Sequence, residues 1–242
     1  MKNSLECKNC GFQIEENFCQ FCGQRSSVYK VTFKETFTDL IDSVFSINAP
    51  LIKTIKLLFL NPGKLFRDFL DGKRKSYYKP VAFFIITTFV YLIVRSLINY
   101  NPMTTAGVKV GGELLIDAGK YMVKNINNIM FLFVFSLALF LKAFFRKRNN
   151  LAEFVAVSFY LMGVYTLIGL VAMFYLKYID SSYKMLPVFL FYLYTVYALT
   201  SFLNSRKFFT IVKISLVYLF SFIMYSGIGF LLSFLAVWYK SS

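Results

Sequence analysis

Apolar residues follow two patterns along this chain of 242 residues, and the change falls near residue 80. Beyond it, five apolar runs of about 17 to 24 residues succeed one another, at 80–98, 129–145, 154–176, 185–203 and 214–237. A helix rises about 1.5 Å per residue, so runs of this length cover most or all of a hydrocarbon core about 30 Å thick. The pattern predicts a mainly α fold in which residues 80–242 form a polytopic membrane domain of about five transmembrane helices.

Before residue 80, apolar positions recur at the spacing of amphipathic helices. The segments 51–59 and 62–70 are too short and too charged to span a membrane, and we place both at the membrane interface. Asn61 is a suitable N-cap for the second of them, and Gly72 can end it in a left-handed conformation.

A further amphipathic helix is predicted in 33–45. Its apolar face is formed by six residues, Phe33, Phe37, Leu40, Ile41, Val44 and Phe45. Acidic residues line the opposite side, whereas helices that lie on a lipid surface are usually basic. We therefore expect this helix to pack on protein, either the membrane bundle or a partner. Together, these segments make 28–79 a region of cytoplasmic or interfacial helices.

Basic residues mark the start of the first membrane run in a chain whose net charge is +15. Because lysine and arginine resist translocation, we place this flank in the cytoplasm, and the basic loops that follow put the N-terminus inside and the C-terminus outside. We interpret the flank as a topology anchor at the lipid headgroups, with specific binding of an anionic lipid as the alternative. Its residues are Lys64, Arg67, Lys73, Arg74, Lys75 and Lys79.

Four cysteines form two C-x2-C pairs near the N-terminus, Cys7 with Cys10 and Cys19 with Cys22. This spacing lets both thiolates of a pair reach one ion, and four thiolates favour tetrahedral Zn²⁺. The pattern predicts a zinc ribbon in 1–27 with structural zinc; a rubredoxin-like iron site and a redox pair are the alternatives. Acidic and basic residues balance there, which favours a protein partner or a purely structural role over nucleic-acid binding.

Few side chains are candidates for enzymatic chemistry. The chain has no histidine, and its apolar runs carry ionisable residues only near their ends. Since histidine is the commonest general acid and base, we expect no enzyme. Hydroxyl groups remain within the last two runs, and we interpret them either as interhelical hydrogen-bonding groups or as the lining of a substrate groove. The candidates are Tyr192, Tyr197, Ser215, Tyr218 and Tyr225.

The ribbon, followed by the segment NPGKLFRDFLDGKRKSYYKPVAFF at 61–84, resembles a bacterial family of uncharacterised multi-pass membrane proteins with an N-terminal zinc ribbon. The motif shared with that family falls on Pro62, Gly63, Arg67, Gly72, Lys73 and Arg74. The resemblance implies a bacterial inner-membrane protein with the architecture described above, and it implies no particular activity.

Two functions are consistent with these patterns. The first is a non-enzymatic inner-membrane protein whose cytoplasmic ribbon and amphipathic helices form a docking platform for a protein partner or a membrane complex. Membrane lipids, especially anionic headgroups, are expected around the basic flank. The alternative is a small transporter or lipid-handling protein that uses the hydroxyl-lined bundle. Nucleic acid is not expected as a partner.

Overall fold

The computed structural model describes residues 5–14, 17–26, 51–100, 113–205 and 207–241. These residues form two short strands, β1 (Leu5–Glu6) and β2 (Gln13–Ile14), and eight α-helices. The helices are α1 (Leu51–Leu60), α2 (Pro62–Leu70), α3 (Pro80–Leu97), α4 (Glu113–Lys124), α5 (Ile126–Phe144), α6 (Leu151–Tyr178), α7 (Leu186–Leu203) and α8 (Phe208–Ser241). The helix predicted in 33–45 lies outside the described residues.

Within the described ranges, α3, α6, α7 and α8 are long and apolar enough to cross a membrane. Helix α5 adds a shorter apolar stretch, Met130–Phe144. The predicted fold class is therefore confirmed: the chain is a mainly helical membrane protein with about five apolar helices and a small four-cysteine module at its N-terminus.

Helix α6 is the centre of the bundle, because α3, α5 and α7 all pack on it. Every residue from 152 to 164 is buried, as expected for a helix that is apolar on all sides. Its first turn is held by a capping box in which Asn150 Oδ1 accepts from the Glu153 N–H at 2.7 Å. Glu153 Oε2 accepts in return from the Asn150 N–H at 2.9 Å. Helix α8 packs on α5 and α7, and α4 packs on α8.

The short helix α2 lies on the bundle with its apolar face covered by protein. Leu65, Phe66 and Phe69 are buried, and the rings of Phe66 and Phe69 lie 5.9 and 5.6 Å from that of Tyr160 in α6. The apolar face of α2 therefore packs on α6 and α7, and the placement of this helix at the membrane interface stays a prediction. Helix α1 differs, since it leaves Ile52 83% exposed.

Two turns of similar build form the N-terminal module. Strands β1 and β2 pair antiparallel, with Leu5 opposite Ile14 and Glu6 opposite Gln13. A single bridge between Phe18 and Arg25 closes the second half of the module. Among the described residues of the module, the buried apolar ones are Cys7, Ile14 and Cys19, so this part of the module has a small apolar core.

Candidate metal centre and its seat on the membrane domain

Each pair of cysteines sits in a hydrogen-bonded knuckle, and the two knuckles repeat the same bonds. In the first, the Cys7 N–H donates to Phe12 O at 2.8 Å and the Gly11 N–H donates to Cys7 O at 2.8 Å. In the second, the Cys19 N–H donates to Gln24 O at 2.7 Å and the Gly23 N–H to Cys19 O at 2.7 Å.

A glycine follows each knuckle because the backbone turns there through a left-handed conformation. Gly11 has φ +78° and Gly23 has φ +68°. Residues with a side chain rarely adopt these angles, so the C-x2-C-G pattern is a conformational requirement of the turn.

The knuckles bring all four predicted cysteines to one point. Their Sγ atoms lie within 4.8 Å of one another, and Cys7–Cys22 and Cys10–Cys19 are each 3.6 Å apart. A tetrahedral ion with metal–sulfur bonds of about 2.3 Å requires sulfurs about 3.8 Å apart. The four thiols are thus arranged as a metal-binding cluster.

The backbone of the second knuckle also favours the thiolate form that metals bind. Desolvation opposes ionisation of the Cys19 thiol, but hydrogen bonds from the backbone N–H groups of Cys22 and Phe21, together with those from the Cys10 and Cys22 thiols, lower its pKa to about 7. Cys7 and Cys19 are buried, whereas Cys10 is exposed at the edge of the cluster.

The module rests on the loop between α2 and α3, a contact that the sequence did not indicate. The side chain of Gln24 is buried and uses both ends of its amide: Nε2 donates to Gly72 O at 2.6 Å, and Oε1 accepts from the Lys75 N–H at 3.2 Å. Asn9, inside the first knuckle, accepts from the Ser76 hydroxyl at 2.5 Å. We call residues 72–76 the basic loop.

Asp68 of α2 also stabilises the basic loop and the residue that follows it. Lys73 Nζ lies 3.1 Å from Asp68 Oδ1, and the Tyr77 hydroxyl donates to Asp68 Oδ2 at 2.7 Å. Desolvation opposes ionisation of this carboxyl, but the hydrogen bonds from Tyr77 and Lys73 and the nearby lysine charges lower the pKa of Asp68 below its usual value. Gly72 supplies the turn, with φ +110°, in agreement with the prediction that the helix ends there.

Two motif residues join α2 to the end of α7. The backbone of Gly63 lies directly on Ser201, where a Cβ would stand 2.3 Å from the carbonyl carbon. Arg67 Nη1 donates to Ser201 O at 2.6 Å and to Phe202 O at 3.0 Å. These are carbonyls of the last turn of α7, which need partners from outside the helix. The guanidinium therefore caps a helix end.

The other predicted headgroup residues are distributed around this junction. Lys64 and Lys75 are exposed and Lys73 is half-buried. The guanidinium carbon of Arg74 lies 5.9 Å from the centre of the Phe69 ring, and Lys79 precedes the first turn of α3. Contact of these residues with lipid stays a prediction.

The predicted hydroxyl face is divided among several helix pairs. Tyr192 and Ser215 hydrogen-bond each other at 2.8 Å across α7 and α8, and the Tyr218 hydroxyl donates to Val188 O at 3.0 Å. The Tyr197 hydroxyl donates to Leu60 O, at the end of α1, at 3.0 Å. These bonds tie helices together and do not form one continuous polar lining.

Tyr218 and Tyr225 also line a small apolar cavity between α5, α6, α7 and α8. Its volume is about 40 Å³, and its other lining residues are Met130, Phe133, Met162, Tyr165, Val188, Phe191 and Phe222. Its lining side chains are apolar or aromatic, so the cavity offers few hydrogen-bonding partners to a polar ligand.

Comparison with known proteins finds one segment of the chain that is similar to a described family. Residues 49–92 match the sequence model of a family described as "Protein of unknown function (DUF3667)". The match covers α1, α2, the basic loop and the first part of α3, which are the elements that carry Gly63, Arg67, Gly72 and Lys73. No curated protein matches the chain. No solved structure matches it either.

Proposed function

We propose that this protein is a non-enzymatic, zinc-containing docking platform of the bacterial inner membrane. The four-cysteine module faces the cytoplasm, the C-terminus lies outside, and the module binds a cytoplasmic protein or a subunit of a membrane complex. Zn²⁺ is the metal that four soft thiolates in a tetrahedral arrangement prefer, and it supplies the folding free energy that so small a core lacks.

The observation that supports docking most strongly is the aromatic surface of the module. The Phe12 and Phe21 rings are stacked with their centres 6.0 Å apart, although they are 46% and 76% exposed. Phe18, 54% exposed, lies beside Arg25, whose guanidinium carbon is 5.8 Å from the ring centre. Aromatic and arginine side chains are enriched at the energetic centres of protein interfaces.

This surface is suited to a protein rather than to a charged polymer. The described part of the module carries Glu6, Lys8 and Arg25, which give little net charge for the backbone of a nucleic acid. The hydrogen bonds of Gln24 and Asn9 to the basic loop hold the module in place, so that docking at Phe12 and Phe21 involves a surface with a fixed orientation on the membrane.

The test begins with purification of the full chain in mild detergent and identification of any protein recovered in stoichiometric amount. Binding of that protein is then measured with purified components. The variant Phe12→Ala/Phe21→Ala should weaken its binding at least tenfold, because burial of a phenylalanine side chain against a partner contributes about 1.5–3 kcal/mol.

Phe208→Ala/Phe209→Ala is the matched control. It also removes a pair of exposed phenylalanines in ring contact, 6.1 Å apart, at the start of α8. The control should bind the partner as the wild type does. Equal binding by the wild type and the Phe12/Phe21 variant, or absence of any stoichiometric partner, would contradict docking through this surface.

A further inference from the structure

The contacts between the module and the basic loop have a consequence for metal binding. Gln24 belongs to the second knuckle, since its carbonyl accepts from the Cys19 N–H at 2.7 Å. Its side chain at the same time bonds Gly72 O and the Lys75 N–H. One residue therefore connects the metal-binding turn to the membrane domain.

The first knuckle makes an equivalent contact. Asn9 lies between Cys7 and Cys10, and its Oδ1 accepts from the Ser76 hydroxyl. Both contacts with the loop thus come from backbone turns whose shape depends on thiolates gathered around an ion. Without the ion, four thiols in a module with almost no apolar core have little to hold them together.

The basic loop is connected to two helices of the membrane domain, α3 and α7, so loss of the metal would also affect them. Gly72 follows α2, whose Arg67 caps the end of α7, and Ser76 precedes α3 by a few residues. A change in the loop therefore reaches the cytoplasmic ends of α3 and α7. The exposed Lys75 side chain also lies beside the second knuckle, since a Cβ on Gly23 would stand 3.9 Å from its Cε and Nζ atoms. The position of Lys75 therefore depends on the same contact between the module and the basic loop.

We propose that the four-cysteine module is a metal-dependent clasp on the basic loop: metal binding fixes the second knuckle, the knuckle positions Gln24, and Gln24 holds the loop at the start of the first membrane span. Gln24 and Asn9 are positioning residues of this clasp. The clasp requires only the metal and this chain, so it can operate with or without a docking partner.

The test uses the loop's own trypsin sites, Lys73, Arg74 and Lys75, in the full chain in detergent or nanodiscs. Cleavage at these sites should be slow in the zinc-loaded protein and at least about tenfold faster after chelation, since the loop must open locally to be cut. Re-addition of Zn²⁺ should restore protection. Hydrogen exchange of the peptide that contains the Lys75 N–H should change in the same direction.

Gln24→Ala separates the clasp from metal binding itself. This variant should keep its metal, because it retains all four cysteines, yet its loop should be cut several-fold faster than that of the zinc-loaded wild type, since only the contact of Asn9 with Ser76 remains. Chelation should then accelerate cleavage less than it does in the wild type. Gln20→Ala, which truncates an exposed glutamine of the same knuckle, is the matched control and should behave as the wild type.

Three outcomes would overturn the clasp. The first is that trypsin cuts the loop of the metal-free wild type as slowly as that of the zinc-loaded protein. The second is that the loop of Gln24→Ala is cut as slowly as that of the wild type. The third is that re-addition of zinc after chelation does not slow cleavage again. None of these readouts involves a partner, so a failure here is distinct from a failure of the docking proposal.

Discussion

Gly63 and Ser201 touch backbone to backbone, and a Cβ on Gly63 would stand 2.3 Å from both the carbonyl carbon and the carbonyl oxygen of Ser201. The two residues are far apart in sequence and belong to α2 and α7. Since the obstructing atoms are backbone, a side chain at position 63 cannot be accommodated by a change of rotamer. The contact makes glycine a requirement of this junction and gives the Pro-Gly motif a structural explanation.

Gly63→Ala should therefore destabilise the fold. Overpacking of this kind usually costs about 1–3 kcal/mol in the free energy of unfolding. The variant's thermal unfolding in detergent should occur several degrees below that of the wild type.

Gly227→Ala is the control, because a Cβ there meets nothing within 4 Å. Within helix α8, alanine is favoured over glycine by about 0.5–1 kcal/mol, so this variant should be as stable as the wild type or slightly more so. Equal melting temperatures for the wild type and Gly63→Ala would mean that α2 does not lie on α7 as described.

Arg67→Gln should loosen the same junction through lost hydrogen bonds. The guanidinium donates to two carbonyls of the last turn of α7, and hydrogen bonds to a charged group contribute about 1.5–3 kcal/mol. Arg67→Lys should recover only part of this loss, because an ammonium is a point charge and lacks the planar fork. The free energy of unfolding measures both.

Lys64→Gln, on the exposed side of the same helix, should change stability little. If Lys64→Gln and Arg67→Gln both lowered the free energy of unfolding by the same small amount, the position of Arg67 at the end of α7 would be refuted.

The stability of the junction should also depend on pH through Asp68. The pKa of its carboxyl is lower in the folded protein than the ordinary value of about 3.9. The carboxylate therefore contributes its full stabilisation above that ordinary value, and the contribution is lost as the pH falls through the lowered folded-state pKa. Because the group is partly exposed, the contribution should not exceed about 1 kcal/mol.

Asp68→Asn tests this directly when melting temperatures are recorded from pH 7 down to pH 3. The difference in melting temperature between the wild type and the variant should be constant from pH 7 to about pH 5 and should become smaller below about pH 4. Asp71→Asn, an exposed neighbour, is the control. A gap that does not change across the acid range would show that the ionised carboxyl of Asp68 is not the stabilising species.

Features that depend on neighbouring residues were predictable from the sequence. Asn61 is an N-cap, with its Oδ1 accepting from the Lys64 N–H at 3.1 Å, and Gly72 adopts the expected positive φ. The apolar runs predicted the membrane helices, and the spacing of the four cysteines predicted that they form one cluster. Each of these signals lies within one element or one short stretch of chain.

Features that depend on distant residues were not predictable. Arg67 was interpreted as part of a basic flank, yet its guanidinium caps a helix 134 residues away. Gln24, which bonds Gly72 across 48 residues, carried no signal at all, because an isolated glutamine after a knuckle is typical of a solvated turn. The position of α2 on the bundle was missed for a related reason: an amphipathic pattern shows that a face must be covered, but not whether lipid or protein covers it.

Metal analysis of the purified full-length chain is the measurement that tests the account most directly, since the module, its aromatic surface and its clasp all depend on an ion bound by four cysteines. Inductively coupled plasma mass spectrometry should find one zinc per chain in the wild type and none in Cys19→Ser. It should also find one zinc in Gln20→Ala, which leaves every thiol in place. Wild-type protein that contains iron in place of zinc would contradict the assignment of the metal, and protein that holds no metal while its four thiols are reduced would contradict the account as a whole.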